Sequence, residues 1–68
     1  MSIMDYRASL HISAEDPPFY AIIMAAMRKA DTSNLILLRS IFPDTWDELE
    51  KRYYARNGLL QGESEVIL

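Results

Sequence analysis

The stretch "FPDTWDELEKRYYARNG", residues 42–58, holds four acids, three bases and four aromatic rings. Whether those groups are chemistry or helix-making decides the fold. Thr45 and Glu48 have the spacing of a capping box, and Asp44 with Asp47 offers a competing cap one residue earlier, so a helix is predicted to begin near Trp46. Phe42, Trp46, Leu49 and Tyr53 then recur at helical spacing as one apolar stripe. This reading makes Tyr53 a core residue and leaves Tyr54 off the stripe. Asn57 and Gly58 supply a left-handed stop. The acids cluster in the first half and Lys51, Arg52 and Arg56 in the second, each at the dipole end that favours it. Asp47 with Lys51 and Glu48 with Arg52 are i,i+4 pairs in the favourable order, worth ~0.3 kcal/mol apiece. Helix-making alone accounts for the charges.

Two further helices are predicted upstream. In "EDPPFYAIIMAAMRKAD" Asp16 is placed to cap and Pro17 to occupy the first helical position, giving a helix over 17–30. Its core face carries Phe19, Ile22, Ile23, Ala26, Met27 and Ala30. Asp31 or Thr32 then caps a short helix through "LILLRSIF", which Pro43 ends by disfavouring helical geometry at Phe42. That helix is almost wholly apolar and is expected to be central, covered on more than one side.

The first fifteen residues read differently. Tyr6, Ala8, Leu10 and Ile12 alternate with Arg7, Ser9, His11 and Ser13, the period of a half-buried strand. A lone strand needs a partner, and the tail "SEVIL" is the only candidate, so either a short terminal pairing forms, within or between subunits, or both ends are loosely ordered; loose order is the expectation. The predicted architecture is all-α: an N-terminal arm over 1–15, a three-helix domain over 16–60 and a C-terminal tail over 61–68.

A 68-residue chain buries only about 60% of its unfolded surface. With no cysteine, neither disulfides nor thiolate zinc can stabilise it, and helix packing or self-association must. No basic segment followed by a long apolar core opens the chain, and no apolar run, neither residues 19–27 nor 35–38, approaches the roughly 20 residues a membrane span requires. A cytoplasmic protein with no membrane attachment is expected. Seven basic against ten acidic residues give a formal net charge of -3, which disfavours a nucleic-acid partner.

The segments "DPPFYAIIMAAMRKADTSNL", "FPDTWDELEKRY" and "NGLLQGE" together resemble small uncharacterised bacterial proteins associated with mobile genetic elements, over residues 16–63. The shared positions are helix caps and core residues. The resemblance implies a bacterial setting and carries over no functional residue.

Chemical sites are hard to assemble from this residue set. His11 alone, without cysteines, supplies too few strong ligands for structural zinc. Glu50 falls beside the apolar stripe, but an ion pair with Arg39 is the expected reason. No glycine-rich phosphate loop is present, and no nucleophile has a histidine partner. The expectation is a protein that is not an enzyme and needs no cofactor. The helix–turn–helix order around Pro43 raises a DNA-binding regulator as the alternative, with Lys51, Arg52 and Arg56 as its contacts. A reading helix presents donors at its N-terminus, however, and here that end carries Asp44, Asp47 and Glu48.

What stands out is the far side of the helix over 17–30, where charge is missing for two turns. Tyr20, Ala21, Met24, Ala25 and Arg28 are the candidate interface residues: small side chains permit close helix approach and methionine adapts to a partner's contour. A second chain is the expected cover of this face, with the N-terminal arm of the same chain as the alternative. The function expected is protein–protein interaction, as a homo-oligomer or as an accessory protein with a partner subunit.

Overall fold

The structure, a computed structural model, describes residues 2–63. Four α-helices follow in order, α1 (Ile3–Ala14), α2 (Phe19–Lys29), α3 (Thr32–Ile41) and α4 (Pro43–Tyr54), and a short 3-10 turn over Arg56–Gly58 ends the helical part. The fold is all-α. The pairing partner considered for the N-terminal segment, "SEVIL", lies outside the described residues.

The N-terminal segment is a helix, which corrects the reading of a loose or strand-like arm. The Ser2 hydroxyl accepts from the Asp5 amide at 3.1 Å and the Asp5 carboxylate accepts from the Ser2 amide at 3.0 Å, closing a capping box at the first turn. On a helix the alternating residues separate into two stripes, Ile3, Tyr6 and Leu10 on one side and Met4, Ala8 and Ile12 on the other. Neither stripe is covered: α1 has no buried residue, and Met4 is 75% exposed.

Two helix starts also move. Pro17 cannot be a first helical residue because Pro18 follows it and pushes it towards extended geometry, so α2 begins at Phe19 with no side-chain cap. Asp16 turns the chain in the left-handed region at φ 52°. The third predicted helix starts at Pro43, not near Trp46. Proline at N1 has its φ preset and lacks only an amide that had no partner, so neither capping pair is used. The α3 start follows expectation, with the Asp31 carboxylate accepting from the Asn34 amide at 2.8 Å. The left-handed stop is present as well, at Asn57 (φ 56°) and Gly58 (φ 70°).

Helix α4 is the centre of the packing: α2, α3 and the 3-10 turn all pack against it. The core consists of Met27 from α2, 3% exposed, and Leu49 from α4, 5% exposed. Around them Ile23, Ala30, Leu38, Phe42 and Trp46 are half-buried. The apolar helix α3 is not central: α4 is its main packing partner among the described elements, and Ile36, Leu37 and Ile41 are exposed. Tyr53 likewise is not core, at 72% exposure, because α2 has ended before the α4 stripe reaches it. Phe19 and Ile22, assigned to the core face of α2, are exposed too.

The molecule measures 43 × 30 × 16 Å with a radius of gyration of 14.2 Å, against about 11 Å for a compact chain of this length. The buried core is small for these dimensions: among the described residues it is Met27 and Leu49. Domains ordinarily bury their apolar faces between two layers.

Candidate association surface

Helix α2 carries apolar residues around most of its circumference and can turn only part of them towards α4. Met27 marks the packed edge. Met24, one of the interface residues read from the sequence, sits next to that edge and is half-buried, so it belongs partly to the core. Tyr20 is exposed and holds its ring edge-on to Phe19, with centroids 5.2 Å apart. Ala21 and Ala25 lie on the outward side. With Pro17, Ile22, Ala26 and Ile12 of α1 they line an open groove of about 340 Å³, at whose end Lys29 stands.

Arg28 is turned elsewhere. It lines a second groove, of about 560 Å³, between the end of α2 and the outer side of α4, floored by Met27 and Leu49 and walled by Trp46, Tyr53 and Tyr54. The five residues read from the sequence therefore fall in different places. The structure groups Ala21 with Ala25 and adds Ile12, Ile22 and Ala26. Ile22 and Ala26 had been given to the core face and Ile12 to the loose arm. A helical wheel could have found them once α1 was read as a helix, and the Ser2–Asp5 capping box was the signal for that reading.

Charge is organised on the other side of α4. Arg52 donates from Nε to Glu48 at 3.1 Å, from Nη1 to the Gly58 carbonyl and to Glu63 at 2.7 Å each, and from Nη2 to Glu63 at 2.8 Å. Glu63 also accepts from the Leu60 amide at 2.8 Å. The Arg52 hydrogen bonds, followed by that of Leu60, hold the Glu63 carboxyl down at about 2; Glu63 and then Glu48 raise the guanidinium well above its usual range. Lys51 faces Asp47 at 3.7 Å, so two of the three basic residues offered to DNA already have carboxylate partners.

The ion pair expected between Glu50 and Arg39 is not formed. Among the described residues the ion pairs join Lys51 to Asp47 and Arg52 to Glu48 and Glu63. Arg39 lies over the Trp46 ring at 5.0 Å from its centroid, a cation–π contact, while Glu50 stands beside Arg28 at the rim of the larger groove. His11 is exposed on α1, and no group of three His, Cys, Asp or Glu side chains among the described residues is arranged to hold a metal ion. No described helix is long and apolar enough to cross a membrane.

Chemically, this arrangement presents apolar surface and no reactive group. The groove over α2 has almost no polar lining and small floor residues, and nothing in it can donate, accept or transfer a proton apart from Lys29 at its end. No protein-family model, curated protein or solved structure matches the chain.

Proposed function

We propose that this protein works by association and not by catalysis, as a self-associating unit in the cytoplasm of a bacterial cell, the setting that its resemblance to proteins of mobile genetic elements implies. The observation that carries this reading is that thirteen large apolar side chains of the described residues remain exposed while Met27 and Leu49 are buried. Monomeric proteins rarely leave large apolar patches uncovered, and association is an ordinary way to cover them. The outward face of α2, through Ala21 and Ala25, is part of the contact.

The test is sedimentation velocity with light scattering over a range of concentrations. The wild-type chain should exceed its monomer mass of 7.9 kDa. Ala25→Glu, exposed in the single chain, should shift the protein to monomer while its helicity is kept. On a free surface that change costs no more than about 0.5 kcal/mol, whereas an unpaired carboxylate in a desolvated contact costs several. A wild-type chain of 7.9 kDa at every concentration rules out self-association.

A further inference from the structure

Helix α1 has two apolar stripes and no buried residue, while the groove on α2 is apolar and open, and both are left over by the same fold. We propose that α1 of a second copy lies along the outward face of α2, its Ile3, Tyr6 and Leu10 stripe seated over Ala21, Ile22, Ala25 and Ala26, and that the two copies exchange this helix reciprocally. The proposal rests on the self-association reading and names its surface and its occupant.

Area is the first argument. The chain exposes 6181 Å², whereas a compact monomer of its mass exposes about 4,400 Å². Counting the six residues outside the description as fully extended chain still leaves a surplus of about 1,100 Å². A stable interface of standard size buries about 800 Å² on each partner. The surplus is one interface's worth.

Shape is the second. Helix α1 has 12 residues and α2 has 11, so their lengths are about 18 and 16 Å and one covers the other end to end. Large side chains on α1 meet small ones on α2, which lets the helix axes approach to the near end of the usual 8–10 Å range.

The third argument is the joint. Asp16 is held at φ 52°, and Pro17 and Pro18 fix the next two φ angles, with Pro18 extended at ψ 144°. Among the described residues, Ile12 is the α1 residue that lines the chain's own groove. The stripe of Ile3, Tyr6 and Leu10 is free for another molecule. Short hinges under strain are the usual origin of exchanged elements.

The chain contains no cysteine, so engineered cross-links are clean. Arg7→Cys lies near the middle of α1 and Ala25→Cys near the middle of α2, so the two approach whichever way the partner helix runs. Each is made as a single variant, one copy carries a mass tag, and the two are mixed and oxidised. Mixed disulfide dimers should form in preference to dimers of either variant alone. In parallel, Leu10→Glu should weaken association at least tenfold, while Ile36→Glu on α3 leaves it unchanged. A wild type that proves monomeric takes down the self-association reading and this inference together. If the wild type associates but the mixed disulfide is absent and Leu10→Glu assembles normally, the exchange of α1 alone is overturned. Should a chain carrying both cysteines close on itself while the mixture stays uncrosslinked, the cover of α2 is its own α1, and the exchange is likewise overturned.

Discussion

The two sides of α4 finish their surfaces by opposite means. On one side the chain reverses through Asn57 and Gly58 and is fastened by Arg52, whose guanidinium joins Glu48, Glu63 and the Gly58 carbonyl within 3.1 Å. On the other side α2 gives Met27 to the core and keeps Ile22, Ala21 and Ala25 outside, with α1 beyond it burying nothing. The first side closes with directional polar contacts and little apolar area. The second has the area without anything laid against it. Hydrogen bonds and ion pairs can fix the course of a segment one against one, but apolar surface is satisfied only in bulk, by another layer.

That contrast can be broken most forcefully at the core that divides the two sides. Leu49→Ala should cost about 2–4 kcal/mol, a large part of the stability of a chain whose buried core is Met27 and Leu49. Thermal unfolding followed by circular dichroism should show the whole helical signal lost at a much lower temperature. Retention of the wild-type melting point would mean that the core lies elsewhere.

A smaller effect sharpens the account of the uncovered side. Ser2→Ala removes the side-chain half of the α1 capping box and should cost about 1 kcal/mol. An isolated 12-residue helix is marginal in water, so in dilute monomer the loss should appear as unravelling of α1 alone. Amide exchange read residue by residue should then accelerate over 3–14 and not in α4. Acceleration in α4 as well would show that α1 is tied to the rest of the molecule after all.

The fastened side gives the most local effect. The folded pKa of Glu63 is depressed to about 2 from an ordinary 4.5, so the closure is complete above pH 4.5 and is lost as pH falls through about 2. Protection of the Leu60 amide should decline across that window, and Glu63→Gln should abolish the pH dependence while leaving α4 helical. An unchanged Leu60 profile in Glu63→Gln would assign the closure to the turn geometry and not to the carboxylate.

How much of this was legible depended on where each signal acts. The all-α class was readable because α3 carries a capping residue, α2 and α4 start at prolines, and all three carry stripes that work within one helix. α1 was not read as a helix: alternation over Tyr6, Ala8, Leu10 and Ile12 imitates a strand, and the capping box that contradicts it sits at the second residue. The missing charge on α2 was visible on a helical wheel. Which part of that surface stays open was not, because it depends on where α4 docks, and α4 took Met27 and part of Met24 while leaving Ile22 outside. Tyr53 continues a real stripe, but a stripe says nothing about whether a partner helix is long enough to reach its end. The Arg52–Glu63 contact spans a left-handed turn and follows no periodicity, so only the folded chain brings it together.

The uncovered apolar surface also bears on how the protein's quantity is governed. A fold covered by a second copy is stabilised by mass action, so the chain's own concentration acts on folding as a ligand would. Each tenfold dilution withdraws about 1.4 kcal/mol from every dimer. For a chain whose described residues bury only Met27 and Leu49, that is enough to move it between folded and protease-sensitive populations. Under self-association its melting temperature is a function of dose, and its survival in a cell acquires a threshold: sparse copies are cleared while abundant ones protect each other.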